Sequence, residues 1–349
     1  MRFLAIEHEL PSRQVTNQDV QDNVRAASAR HLKPAELDQL AGLIDACFNS
    51  AGTRVRYHRA PDENATDLAL RAGRRALGSA GIDPSDVDLL LYVGIGRGVI
   101  EPASATIYQD LLGLRRATAF DVLDACASWA RALQLAHLFL QSGVYRTVMI
   151  LNAEFVGRES SRYELRSVDE FAHWHPGVTI GEAATATVLT ADNEPDEFES
   201  DFRTWGDKRD LCFVPLPSFE GYFGKSPSQR VEVKPLQFFS FGLRLMDFAT
   251  RKLVEHYRDR PQYAAFEADH VFTHAASDGM TRFVVDQCRI VPDKVHLYHH
   301  IYANTISASM PLAMSDAMKK GKLQSGDRVL LLAASAGVTT GLVKFAFHT

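Results

Sequence analysis

Thr118 to Gly143 reads TAFDVLDACASWARALQLAHLFLQSG. Thr118 to Val122 predicts a buried strand. From about Cys126 the spacing turns helical, and Ser142 and Gly143 close the helix after Gln141. Strand, sharp turn and helix make the unit from which α/β proteins are built, and here the turn carries a cysteine. Upstream, Asn64 to Ser79 predicts a helix with Leu68, Ala72 and Ala76 along one face, stopped by Gly81. Val87 to Val93 predicts the next strand, and Pro102 opens a helix where its missing N–H costs least. Downstream, Arg146 to Leu151 and Ala184 to Thr190 predict two more strands.

The pattern then repeats. DLLLYVG, TAFDVLDAC, a helix and TVMIL in the first half are answered by DHVFTH, KVHLYHHIYAN, a helix and RVLLL in the second. Cys126 to Gly143 and Asn304 to Gly321 both span 17 positions, so Cys126 and Asn304 are expected at matching strand-to-helix turns of a duplicated α/β chain. Three units are expected. Residues 1–193 form the half with Cys126, and residues 194–234, rich in Pro, Gly, aromatic and charged residues, form a cap or connecting excursion. Residues 235–349 form the half with His274 and Asn304. Leu37, Leu40, Ile44 and Cys47 lie on one face of a further helix, which covers the core or a tunnel.

The 349 residues are 46% hydrophobic and 23% charged, a globular balance with core enough to fold without disulfides or structural metals. A net charge of -5 and a pI near 6.2 give no reason to bind nucleic acid. Cys47, Cys126, Cys212 and Cys288 are far apart with no CxxC pair, which argues for a reducing compartment. The apolar run Phe3 to Ile6 is too short for a signal peptide, and no stretch reaches the roughly 18 apolar residues of a spanning helix. A cytoplasmic protein without membrane insertion is expected.

A thiol at a helix start has its pKa lowered by the first-turn N–H groups and the dipole, which makes Cys126 a candidate nucleophile; a small buried residue is the alternative. His274 follows the strand Val271 to Thr273, at the end where open sheets place ligands, although strand-end histidines are often structural. Asn304 begins the helix ANTISASMPLAM, where N-capping is the simple explanation. Duplication brings the starts of equivalent helices together. The turn ASAGVTTG, Ala334 to Gly341, could offer N–H groups to an oxyanion.

In this order DVLDACASWARAL, THAASDG, ANTISASMPLAM and ASAGVTTGLVKF resemble the signatures of β-ketoacyl-ACP synthase III-like enzymes of the thiolase superfamily, from RVRYHR at Arg54 to Arg59 through to the last strand. His274 and Asn304 lie 30 positions apart. The resemblance implies a five-layered αβαβα fold and a homodimer. It implies that Cys126 takes an acyl group from CoA or acyl carrier protein, with an oxyanion hole from the N–H groups of Cys126, Ala336 and Gly337. His274 and Asn304 would then donate to the enolate of a second acyl thioester, with ping-pong kinetics and no cofactor beyond the CoA or phosphopantetheine carrier.

Departures from the housekeeping pattern matter for function. GIGRGVIEPASATIYQDLLGL carries Glu101 before a proline where housekeeping enzymes have a Thr- and Ser-rich turn, and so is similar to head-to-head condensing enzymes and pyrone-forming ketosynthases. Glu101 is therefore a candidate general base, with a dipole-favoured acid at a helix start as the alternative. IGEAATATVL replaces the usual Gly-Asp-Gly turn, and the arginine with which relatives bind CoA has no match. Arg158, Arg162 and Arg166 are candidates for carrier phosphates or acidic carrier surfaces. His173 and His175, with His296, His299 and His300, lack partners at metal-site spacing, so no metal is expected. Condensation in specialised lipid or polyketide biosynthesis is the first reading. Acyl transfer to an alcohol or amine is the second, and a non-catalytic partner subunit of a ketosynthase heterodimer the third.

Overall fold

The computed structural model describes residues 1–192, 197–224, 233–274 and 276–349, apart from the side chains of residues 158 and 159. The expected boundary between 193 and 194 falls outside them. The first sheet holds β1 (Arg2–Glu9), β2 (Leu89–Val93), β3 (Thr118–Val122), β4 (Thr147–Glu154) and β5 (Ala183–Thr190) in the order β3-β2-β4-β5-β1. The second holds β6 (Glu199–Thr204), β7 (His270–Thr273), β8 (Val295–His296), β9 (Arg328–Ser335) and β10 (Thr339–Ala346) in the order β8-β7-β9-β10-β6. The two orders correspond strand for strand. In each sheet three strands run parallel and the other two pair antiparallel, β5 with β4 and β1 in one, β10 with β9 and β6 in the other.

The main helices are α1 (Asn17–Ser28), α2 (Pro34–Ala51), α3 (Ala65–Ala80), α4 (Ser104–Leu111), α5 (Ser128–Gln141), α6 (Gly242–Arg258), α7 (Asp278–Gln287) and α8 (Ser309–Lys319). β2 is apolar throughout because both its faces are covered. Leu89, Leu91 and Val93 meet Trp129 and Leu133 of α5 and Met310 and Ala313 of α8, which in turn meet Val329, Leu331 and Val343 of the second sheet. On the outer faces, Leu90 and Tyr92 meet Leu68 and Ala72 of α3, while Leu330 and Leu332 meet Leu253 of α6 and Val284 of α7. The layers are therefore αβαβα in two duplicated halves. Among the described residues no helix is long and apolar enough to cross a membrane.

Several sequence expectations shift. Glu199 to Thr204 lies in the stretch read as an excursion, yet it is the first strand of the second half. Its residues, ESDFRT, carry no apolar alternation because this is an edge strand held by backbone pairing to β10. Asn64 caps α3 from outside, its Oδ1 accepting from Asp67 N–H at 2.7 Å, and Gly81 ends it in a left-handed conformation at φ 65°. α4 begins at Ser104 rather than Pro102, whose peptide bond to Glu101 is cis. Its start is set by Asp121, which accepts from Ser104 N–H at 3.0 Å and Ala105 N–H at 2.8 Å. α2 buries Leu37, Leu40, Ile44 and Phe48 against Leu165, Trp174 and Phe239 rather than against either sheet.

The duplication also has a different register. α5 and α8 each follow a 3-10 turn, Ala125–Ala127 and Ile306–Ala308, whose first residue has positive φ, 44° at Ala125 and 55° at Ile306. Ser128 donates to the Ala125 carbonyl at 2.6 Å, and Ser309 to the Ile306 carbonyl at 2.8 Å. Cys126 thus matches Ser307, not Asn304. The equal spacing to Gly143 and Gly321 arises because α8 has 11 residues and α5 has 14.

Replacing Asp121 with alanine removes both acceptors at the start of α4 and the pair with Arg97 at 3.4 Å. The expected cost is about 1–2 kcal/mol, seen as a lower urea midpoint at unchanged m.

Candidate active site

Cys126 sits in the middle of the Ala125–Ala127 turn. Ser128 fixes that turn from inside, accepting from Asp124 N–H at 2.8 Å while it donates to Ala125. Ser335 ties it to the second half, donating to the Asp124 carbonyl at 3.0 Å. Ser335 ends β9, so the Ala336–Gly337 turn lies next to the cysteine turn. On its other side the cysteine turn packs against Ile306–Ala308.

Asn304 precedes that second turn. Its N–H donates to the Thr179 carbonyl at 2.9 Å, and its carbonyl accepts from Gly181 N–H at 3.0 Å. A Cβ on Gly181 would stand 2.3 Å from the Tyr302 carbonyl oxygen, so only glycine allows this approach. The side-chain Oδ1 accepts from Ile306 N–H at 2.9 Å, which leaves the amide NH2 as the group Asn304 can offer a ligand.

His274 leaves the end of β7, and its Nδ1 lies 2.9 Å from Ser309 Oγ. Ser309 has one proton and gives it to the Ile306 carbonyl. It can only accept from the ring, and the Ile306 carbonyl also favours a proton on that side. Neutral His274 therefore carries its proton on Nδ1 and has a bare Nε2. The structure thus gathers Cys126, His274, Asn304 and the Ala336–Gly337 turn around the starts of α5 and α8.

The other candidates lie elsewhere. Glu101 is exposed on the loop before α4, whose start is tied to Asp121 of the edge strand β3. Arg162 is committed internally, to the Glu164 carbonyl, Glu170 and the Trp174 ring, with 9% of its side chain exposed. That leaves it no reach toward a carrier. Arg166 is exposed, and the side chain of Arg158 lies outside the described residues. The clustered histidines serve packing: His173 stacks on Phe239, His296 on Phe272, His300 pairs with Asp278 and His299 meets Thr53. Among the described residues no group of three or more potential ligands gathers to hold a metal.

Two family models match the chain, 3-oxoacyl-(acyl-carrier-protein) synthase III over residues 120–206 and its C-terminal counterpart over residues 259–346. The first contains Cys126, and the second His274, Asn304 and Gly337. The chain belongs to the β-ketoacyl-ACP synthase III-like condensing enzymes of the thiolase superfamily. A β-ketoacyl-(acyl-carrier-protein) synthase III of Helicobacter hepaticus is 27% identical over 295 residues, 83% of this chain and 85% of the relative. One of Symbiobacterium thermophilum is 27% identical over 323 residues, 90% and 94% of the two chains. The fold is shared with the synthase III of Aquifex aeolicus at a TM-score of 0.79 and 23% identity, with 99% of each chain covered. It is shared also with Xanthomonas campestris OleA, solved with lauric acid and lauroyl-CoA, at 0.82 and 20% identity over 99% of this chain and 98% of that one.

For a condensing enzyme the resting state of the thiol matters, and here the expectation of a lowered pKa is overturned. Burial pushes the Cys126 thiol well up, and Cys212, Glu154 and Asp124 add to the rise. The reason is local. α5 proper begins at Ser128, so a 3-10 turn separates the sulfur from the first helical N–H groups, while carboxylates stand nearby. His274 is also held neutral, brought down to about 4 by burial and then by His299.

Ser309, Ser307 and Glu154 were missed by sequence reasoning. Glu154 had a readable signal, since TVMILNAE ends an apolar strand on an acid; the expected strand stopped at Leu151.

In the absence of substrate, Cys126 should alkylate with iodoacetamide more slowly at pH 7.5 than a free thiol of pKa about 8.5, by at least about tenfold, with the rate still climbing above pH 9. His8, His274 and His296 are each brought from 6.5 down to about 4, chiefly by burial. The unfolded chain binds their protons first, so stability should be full above pH 6.5 and fall as the pH drops toward 4, which thermal melts across that range will read.

Proposed function

We propose that the protein joins two acyl thioesters by Claisen-type condensation, with Cys126 carrying the first acyl group. The observation that supports this most is the meeting of a cysteine turn, an asparagine amide and a histidine with a bare Nε2 at the starts of two facing helices. When an acyl-CoA or acyl carrier protein enters, His274 Nε2 takes the thiol proton and Cys126 Sγ attacks the carbonyl. The new S–C bond replaces the old one, the released thiolate takes a proton from solvent, and the thiol proton stays on His274 Nε2. The N–H groups of Cys126, Ala336 and Gly337 would hold the oxyanion.

In the second half-reaction the incoming thioester carbonyl lies between Asn304 NH2 and the Nε2–H of His274, now protonated on both nitrogens, and both donate to its enolate oxygen. The carbanion attacks the Cys126 acyl carbon, the β-keto thioester forms, and the cysteine leaves as thiolate to be reprotonated. We assign removal of the α-proton to Glu101, so that two chains join without loss of CO2, in specialised lipid or polyketide metabolism of the cytoplasm. The Glu-Pro sequence favours this, and OleA, a neighbour in fold, has been solved with a lauroyl-CoA.

A homodimer fits this assignment. β3 is an open edge, and Leu123 directly after it, Ile107 of α4 and Val99 and Ile100 of the loop before α4 are exposed apolar residues. Asp121 of β3 binds Arg97 and the start of α4, so the Glu101 loop sits on that edge. A second copy docked there lies against Glu101. Arg166 and Arg158 remain the candidates for the carrier's phosphates, and no cofactor is needed beyond the carrier.

The test is product analysis by mass spectrometry with a medium-chain acyl-CoA, with and without a malonyl thioester. The expected result is a β-keto product from acyl-CoA alone, lost at least about 100-fold in Glu101→Ala while Cys126 still acylates. A product only with malonyl, together with CO2, removes Glu101 from the chemistry and keeps the condensation. No acyl adduct on Cys126 with any acyl-CoA overturns the enzyme reading.

A further inference from the structure

Glu154 ends β4 with its side chain fully buried, and among the described residues no cation pairs with it. Four donors meet it instead. Gly96 N–H reaches Oε2 at 2.8 Å; Ile95 N–H at 3.2 Å, Ser307 N–H at 3.4 Å and the Ser307 hydroxyl reach Oε1. The hydroxyl's direction is settled by its other neighbour: Asn152 Nδ2 donates to Ser307 Oγ at 2.8 Å, and Thr185 donates to Asn152 Oδ1 at 3.0 Å. The chain of donors runs from Thr185 through Asn152 and Ser307 and ends on the carboxylate. Burial raises the pKa of this carboxyl, and the bonds from Ser307, Gly96 and Ile95 oppose that rise, since every partner gives a proton to it.

The donors come from two distant stretches of chain. Ile95 and Gly96 begin the loop that leads to Glu101, and Ser307 lies in the turn whose Ile306 N–H holds Asn304 Oδ1. The glycines on the loop are shaped to this carboxylate: a Cβ on Gly94 would stand 2.2 Å from Glu154 Oε1, and one on Gly96 2.2 Å from the Ala153 carbonyl oxygen. We infer that Glu154 is a positioning residue whose single buried carboxylate sets the Asn304 turn and the Glu101 loop in one frame with the cysteine. It touches no substrate. This rests on the reading of Asn304 as the donor to the enolate.

Two readouts separate positioning from mere stability. Glu154→Gln keeps the volume but turns one acceptor into a donor facing donors, and it removes a negative charge that raises the Cys126 thiol. Condensation should fall on the order of 100-fold, while acylation of Cys126 persists and iodoacetamide alkylation at pH 7.5 quickens severalfold. Glu154→Asp keeps the charge with a shorter reach, so condensation should fall while alkylation stays slow. If Glu154→Gln does not fold, Ser307→Ala decides, since it frees the Asn304 turn and leaves the loop bonds in place; its condensation should drop at least tenfold with acylation retained.

Wild-type condensation in folded Glu154→Gln, or in Ser307→Ala when the former does not fold, overturns the inference. Equal loss of acylation and condensation in a variant with wild-type melting also overturns it. Asn304→Ala is assayed alongside. If it condenses at the wild-type rate, the underlying reading of Asn304 has failed, whatever the Glu154 variants do.

Discussion

A helix packed between two sheets has almost no side facing water, and α5 and α8 are both in that position. Their flanks are therefore apolar and small, with Ala130, Ala132 and Ala136 on one and Ala313 and Ala317 on the other, which lets two helices and two sheets close into one core. Chemistry is pushed to the helix ends. There the backbone groups left over by helix geometry must find partners, and they find them in serines, in each other's turns and in the β9–β10 hairpin. The site is what remains where two copies of one structural unit meet at those ends.

The two copies are alike in backbone and unlike in side chains. Ala125 and Ile306 take the same left-handed conformation, and Ser128 and Ser309 close the same small ring. Ser309 additionally faces a histidine ring, whereas Ser128 faces the Asp124 amide. One duplicated capping device thus braces a nucleophile on one side and selects a tautomer on the other.

Much of this was legible because it is written in periodicity. Both sheets' central strands are apolar runs, Leu68, Ala72 and Ala76 do line one helix face, and the four motifs that marked the family lie where the halves meet. What was illegible has physical reasons. β6 is polar because an edge strand needs no core face, and Pro102 is a turn residue because its neighbour Asp121, not the proline, sets where α4 starts. The equivalence of Cys126 with Asn304 was a coincidence of helix length. The acidity of the thiol could not be read at all, since it depends on burial and on Glu154, a residue 28 positions further along the chain.

α2 has its own small core, in which Leu40, Ile44 and Phe48 meet Trp174, Val178 and Phe239. That cluster is separate from those that hold the sheets together. A change of shape within it leaves the packing of the two sheets to their own clusters but reaches the Asn304 turn through Val178, whose neighbour Thr179 accepts from the Asn304 N–H.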